Sequence, residues 1–419
     1  MTRTSLRTLT IVLASLASVP LAAQQTNDLG GSTPYVAPAA KPAQPKTPDS
    51  STAKKDSMPK PEFKPSWNFS TWIFGAYNYV TDSNTKAANS GQAFSKFTVD
   101  RAYLTFRGQV APDWGFRVTT DVVQLGAGSG YNGLTIRLKY AWMQWDYLHA
   151  TDPNDWSAWA RIGQITTIEI DDEERFWPRW IQKTALEYWA IQPNSSDLGA
   201  GTQINLPSKW GNVYFLLDNG SGYSNATDVD RYKDASVRLS LWPLGRSDGI
   251  FRTLELNGWY QAGRTQAGIV TSPPNIKPGL ENNAYGVFLG NADPRFQFGI
   301  DWASRIQQVI NPADSTRHQN TASLFAGFVV IRPFLFSDPK GTPLGIILRY
   351  DNYTPYNNAY FPPGALTTST KQNLFIATLF WDVAKQSSLG ISYQGQTQSS
   401  PSGAAYEKTM YQLNYQVTF

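Results

Sequence analysis

From residue 67 to residue 419 apolar and polar side chains alternate in stretches of about ten, each ended by turn-forming residues. A period of two puts successive side chains on opposite faces of a strand. Repeated segments of this length and pattern mark strands with lipid on one face and water on the other. The pattern predicts sixteen strands, over 67–80, 94–109, 114–125, 134–147, 157–166, 198–206, 212–218, 233–242, 251–263, 284–290, 295–307, 320–334, 344–353, 372–382, 388–398 and 405–419. In the last of these Tyr411, Leu413, Tyr415, Val417 and Phe419 share the lipid-facing parity, and Gln412, Asn414, Gln416 and Thr418 share the other.

The connections support the same architecture independently. Short ones (110–113, 207–211, 291–294, 383–387) alternate with long polar ones (81–93, 219–232, 264–283, 354–371), the asymmetry of barrels with tight periplasmic turns and large external loops. An even strand count with both termini on the periplasmic side follows. The expected fold is all-β, a 16-stranded antiparallel transmembrane β-barrel, in which closure gives every backbone polar group a partner. Sixteen strands enclose an aqueous lumen rather than a packed interior. The third external loop, 167–197, is too long and too aromatic (Phe176, Trp177, Trp180, Tyr188, Trp189) for an idle connection, and is expected to fold inward and narrow the lumen.

Composition agrees. Only 16% of residues are charged, against roughly 25% in soluble domains, while 14% are aromatic, enough for girdles at two interfaces. The only long apolar run, 10–23, falls short of the roughly 20 residues of a spanning helix. With no cysteine, a disulfide framework, a thiolate metal site, a cysteine nucleophile and a lipoprotein anchor are excluded. Arg3 and Arg7, the apolar stretch 9–19 and the small pair Ala22 and Ala23 read as a signal peptide over 1–23. Residues 24–66 carry eight prolines and six lysines and read as a semi-rigid periplasmic linker, leaving 67–419 as the barrel.

Net charge is uninformative, because residues 67–419 hold 28 basic and 28 acidic side chains. Distribution says more. Parity turns Arg101, Arg107, Arg117, Arg137, Lys139 and Arg161 into the lumen. Together with Lys96 they form a basic wall on the second to fifth strands, opposed there by Asp100, Asp121 and Asp146. Such a wall replaces the hydration of an oxyanion with charge-assisted hydrogen bonds; the alternative is that these groups are merely solvated or pair with acids such as Asp121. Arg238, Arg295, Arg305 and Arg349 take lumen parity on later strands. In the third loop Arg175, Arg179 and Lys183 recur every four residues, which predicts a short helix with three cations on one side. Pro178 in its first turn would leave Arg175 just outside. The acidic run Glu169, Asp171, Asp172, Glu173 and Glu174 precedes it. It would either hold a divalent cation, though without a calcium-loop motif, or pair with basic residues of the loop and wall.

Several segments resemble the phosphate-selective porin O/P family. RAYLTFRGQVAPDWGFRVTTDV (101–122) is similar to a strand, turn and strand of that family; ARIGQI (160–165), DLGAGTQINLP (197–207) and KDASVRLSLWPL (233–244) follow in the family's order. The aromatic C-terminal residue likewise resembles the assembly signal of bacterial outer-membrane proteins. The family resemblance implies a homotrimeric 16-stranded porin passing anions, with the third loop inside the channel. By position it makes Arg101, Arg107, Arg117, Arg137, Lys139 and Arg161 pore-lining. After Gly163 and Gln164 the chain departs from the family pattern, reading ITTIEIDDEERFWP with five acids in place of a stretch containing Phe and Pro.

Other functions are argued against by what the chain lacks. His149 and His318 are its two histidines, both in predicted connections, and no serine and aspartate arrangement around them reads as a triad. A proline-rich linker supplies no folded plug for an energy-coupled receptor. A sugar channel, with Tyr103, Trp145, Trp159 and Trp259 as lumen aromatics, is the rival; the discriminant is whether the constriction is lined by arginines or by aromatics paired with acids. The sequence therefore predicts a non-enzymatic porin of the bacterial outer membrane, partnered by outer-membrane lipids, passing small anions past the basic wall and past Arg175, Arg179 and Lys183. It predicts no cofactor, no metal and no nucleic-acid partner, with a general-diffusion or carbohydrate porin as the alternative.

Overall fold

The computed structural model describes residues 62–124, 133–225, 228, 231–265, 279–310, 316–338, 343–355, 371–384, 387–398 and 406–419. The expected signal peptide 1–23, and the linker 24–66 up to residue 61, lie outside the described residues.

The strands are β1 (Ser66–Val80), β2 (Phe94–Ala111), β3 (Trp114–Gln124), β4 (Leu134–Leu148), β5 (Ser157–Thr166), β6 (Ser196–Asn205), β7 (Gly211–Asp218) and β8 (Asp234–Leu241). They continue as β9 (Glu255–Ala262, prolonged by Arg264–Thr265), β10 (Leu280–Asp293), β11 (Phe296–Ile310), β12 (Arg317–Ile331), β13 (Leu344–Thr354), β14 (Gln372–Ala384), β15 (Ser387–Gln398) and β16 (Tyr406–Thr418). Each pairs antiparallel with the next. β16 returns to β1, with Trp72 opposite Thr418 and Val80 opposite Met410, so the sheet closes and has no free edge. The expected sixteen-stranded barrel is what forms. His318 lies within β12 rather than in a connection.

Outward-facing aliphatics remain widely exposed, Ile136 by 67%, Ile162 by 65% and Ile391 by 66%. A closed wall with such a belt has lipid as its natural solvent. On the last strand Leu413 and Tyr411 face out and Gln412 and Asn414 are buried inside, as the alternation requires.

Of the register shifts among the described strands, those within β2 and β4 interrupt the alternation where the basic wall lies and so decide what faces the lumen there. In β2, Arg101 lies opposite Phe74 and Val99 opposite Gly75, leaving Asp100 as an extra residue; Lys96 and Thr98 thereby join Arg101 inside. In β4, Thr119 lies opposite Tyr140 and Thr120 opposite Leu138, so Lys139 is the extra residue. Tyr140, assigned to the lipid face by uninterrupted parity, turns inward and is buried. Every position beyond it also changes face. Trp145, a candidate lumen aromatic, therefore stands on the outer wall, stacked 5.8 Å from Trp114.

Gly163 in β5 sits at φ 121°, where a Cβ would come 2.2 Å from the carbonyl oxygen of Ala141 on β4. Only glycine allows the strands to pair there.

Candidate functional site in the lumen

The third external loop, 167–195, enters the barrel and packs against the far wall. Its aromatics each find a partner: Phe176 against Phe288 on β10 (5.0 Å between centroids), Trp177 edge-on to Phe328 on β12 (5.1 Å), Trp180 to Phe380 on β14 (6.3 Å) and Trp189 stacked on Tyr353 of β13 (4.8 Å). The absence of a side chain at Gly390 lets Trp180 approach β15. The hydrophobic core thus lies inside the barrel, between loop and wall, and fixes the side of the lumen from which the loop is held.

The expected helix carrying Arg175, Arg179 and Lys183 does not form. Short helices occupy α1 (Ile170–Glu173) and α2 (Ala185–Tyr188) instead, and Thr184 caps α2 by accepting from the Glu187 amide. Pro178 cannot continue the hydrogen bonding of a helix begun at 170, and Trp177 and Trp180 must reach different strands. The three cations consequently diverge. Arg175 bonds Asp172 (2.7 Å) and Glu255 (3.1 Å) on β9; Arg179 bonds Glu174 (2.8 Å) and Glu187; Lys183, 44% exposed, reaches Glu187 at 3.3 Å.

The acidic run is buried and occupied by basic groups of loop and wall. Glu169 and Asp172 lie 3.6 and 3.5 Å from Arg238 of β8, Glu174 lies 4.0 Å from Lys139, and Asp171 accepts from the Tyr140 hydroxyl at 3.1 Å. Among the described residues no group of acids and histidines is arranged to hold a metal ion. Burial raises the cost of ionising Asp172, yet Arg238 and Arg175 outweigh it and hold this carboxyl below the ordinary range. Burial likewise opposes ionisation of Glu187, and Arg179 and Lys183 outweigh it. Glu173 behaves oppositely: burial pushes it up to about 7 against the pull of Arg349, and it lies against the carboxyl of Asp301 on β11.

The sequence-assigned basic wall on β2 to β5 divides into two groups. Arg101 and Arg137 converge on the fully buried Asp121 at 3.0 and 3.1 Å, and Lys139 is tied to Glu174 and to the Tyr103 hydroxyl (3.3 Å). Arg117 and Arg161 have no ion pair among the described residues. Arg117 donates to Thr119 (2.9 Å) and lies 4.1 Å over the Tyr140 ring. Arg161 donates to Gln144 (2.7 Å) and is sandwiched between Trp142 (4.1 Å) and Trp159 (3.9 Å). Arg107 stands directly opposite Arg117 across the β2–β3 ladder. Like charges placed opposite one another repel, so this part of the wall is strongly basic.

Between the loop and the β1, β2 and β16 walls lies a cleft of about 550 Å³. Its basic lining is Lys96, Arg101, Arg179, Lys183 and Lys408, and Asp100 is the acid among its lining residues. Lys408 was absent from the sequence-derived wall, although it shares parity with the lumen residues Gln412 and Asn414 four and six positions on. Arg238, Arg305 and Arg349 do point inward, as parity indicates, but each contacts the loop.

No family description and no curated protein matches the sequence. Among solved structures the chain is similar to an anion-selective porin from Comamonas acidovorans (TM-score 0.53, 10% identity, covering 85% of this chain and 100% of the other). It is also similar to the outer-membrane channel DcaP of Acinetobacter baumannii (0.56, 13%, 85% and 97%) and to OprB of Pseudomonas putida (0.54, 11%, 84% and 94%). At this level of identity the likeness is one of fold. The chain has the fold of the bacterial outer-membrane porins, and its closed wall and apolar belt suit it to that membrane.

Proposed function

We propose that the protein is a porin of the bacterial outer membrane that passively conducts small anions, phosphate and related oxyanions among them, along the basic wall of β2 to β5. The observation that carries this reading is the placement of charge. The loop's carboxylates are engaged by Arg238, Arg175, Arg179 and Lys139, whereas Arg117 and Arg161 have no carboxylate in ion-pair range among the described residues. Each of these guanidinium groups lies on an aromatic face and spends its Nε within the wall, which leaves the terminal nitrogens as the edge to offer an oxyanion. The same stacking disfavours a sugar path, because the ring faces of Trp159, Tyr140 and Tyr103 are covered by Arg161, Arg117 and Lys139. A passive channel needs no catalytic group and no cofactor.

A homotrimer in contact with outer-membrane lipids completes the proposal; one similar structure, OmpT of Vibrio cholerae (TM-score 0.53, 9% identity), is described as a trimer form. Native mass measurement in detergent checks it, and a monomeric mass overturns it. The channel reading is tested by reversal potential in planar bilayers across a KCl gradient, repeated with added phosphate. Anion selectivity with phosphate block, both weakened in Arg117→Gln and Arg161→Gln, is expected. Cation selectivity, or none, overturns the reading in favour of a general or sugar porin.

A further inference from the structure

Three arginines from the wall opposite the conducting side each donate one N–H to a backbone carbonyl of the inward loop. Arg238 of β8 bonds the Ile168 oxygen at 2.8 Å, Arg349 of β13 bonds that of Lys183 at 2.6 Å, and Arg305 of β11 bonds that of Ala190 at 2.7 Å. The three carbonyls lie at the start, past the middle and near the end of the loop, so the fastenings are spread along its length.

Each guanidinium is itself fixed before it reaches the loop. Arg349 spends its Nε and Nη2 on Asp351 (2.8 and 2.7 Å) and has Nη1 left for the loop. Arg305 is steadied by Asn282 at 2.9 Å. Arg238 stands between Glu169 and Asp172. A planar fork with several donors can grip a wall residue and a carbonyl together, which a lysine ammonium does less well. At the third fastening the loop is also strained: Ala190 takes a left-handed conformation (φ 55°), usual for glycine after a helix end, and its carbonyl is the one Arg305 holds.

From this geometry we infer that Arg238, Arg305 and Arg349 are positioning residues that immobilise the loop and so set a constant bore, and that they do not bind the permeant. The inference rests on the channel reading above. It divides the inward arginines into a conducting set on β2 to β5 and a fastening set on β8, β11 and β13.

Single-channel recording of the full chain tests it. Arg305→Gln removes one fastening and leaves no buried carboxylate stranded, so it is the first variant; Arg349→Gln is the second. Released loops are expected to give rapid flicker between conductance levels, with excess open-channel noise at least severalfold above the parent. The chain has no cysteine, so Gln182→Cys with Gln394→Cys, at positions whose side chains hydrogen-bond at 3.1 Å between loop and β15, permits a bridge by a short bifunctional thiol reagent. Flicker in either variant that the bridge silences supports the inference. Quiet traces from both variants, or flicker that persists after bridging, overturn it. The sign of the reversal potential, read on the same channels, reports the anion reading separately.

Discussion

Asp121→Asn is expected to make the channel more anion-selective while weakening the barrel. Asp121 is fully buried and accepts from Arg101 and Arg137 at 3.0 and 3.1 Å, so one negative charge offsets two positive ones where the wall meets the cleft. The asparagine keeps the shape and one acceptor but adds one net positive charge to the lining. Two unit charges about 8 Å apart, the approach allowed to a carboxylate covered by two guanidinium groups, interact by about 1 kcal/mol at an effective dielectric of about 40, and since about 1.4 kcal/mol is tenfold, a passing ion changes its occupancy roughly fivefold. Anions gain and cations lose, so the permeability ratio should rise at least about fivefold in 0.1 M KCl. At 1 M, where the screening length falls to about 3 Å, the change should nearly vanish. Breaking a buried pair costs about 3–5 kcal/mol, and the retained acceptor favours the lower end. The assays are reversal potential at the two salt concentrations and the temperature at which the folded barrel loses its compact gel mobility. An unchanged or reduced anion preference at low salt would refute the argument, because it would mean that Arg101 and Arg137 do not face the permeant.

Arg161→Gln removes a guanidinium stacked on two tryptophans, and should reduce phosphate block of the chloride current more than Arg101→Gln, whose charge Asp121 already offsets; titrating phosphate against single-channel current checks the order. Burial raises Glu173 to about 7, above its ordinary 4.5, so the folded loop favours its protonated form. That stability is present below about pH 4.5 and is lost as pH rises toward about 7, and protease cleavage of the loop should accelerate over this window, less so in Glu173→Gln. Gly163→Ala places a Cβ 2.2 Å from the Ala141 oxygen at a positive φ and should cost about 1–3 kcal/mol or more, read as an earlier loss of compact gel mobility.

The alternation of side chains determined the barrel. Period two, sixteen times over with short and long connections in turn, admits one closed solution, since a strand in lipid must pair on both edges. The terminal strand was legible residue by residue for the same reason: Leu413 and Gln412 differ by one position and therefore face opposite solvents. The length and aromatic content of the third loop likewise sufficed to turn it inward.

What parity could not supply was the effect of an extra residue. The bulges at Asp100 and Lys139 each reverse all faces beyond them: the first is what puts Lys96, already counted in the wall, on the same face as Arg101, and the second brought Tyr140 inside and sent Trp145 out. Nor could spacing along the loop reveal that Arg175, Arg179 and Lys183 diverge, since their directions follow from tryptophans seeking Phe328 and Phe380 on distant strands. Whether an arginine stacks on a ring, pairs with a carboxylate or meets the loop backbone was decided only by the tertiary structure. Asp121 and the Ala190 carbonyl meet Arg101 and Arg305 from 20 and 115 residues away, and Trp142 meets Arg161 from the neighbouring strand; charge acts through space, not along the chain.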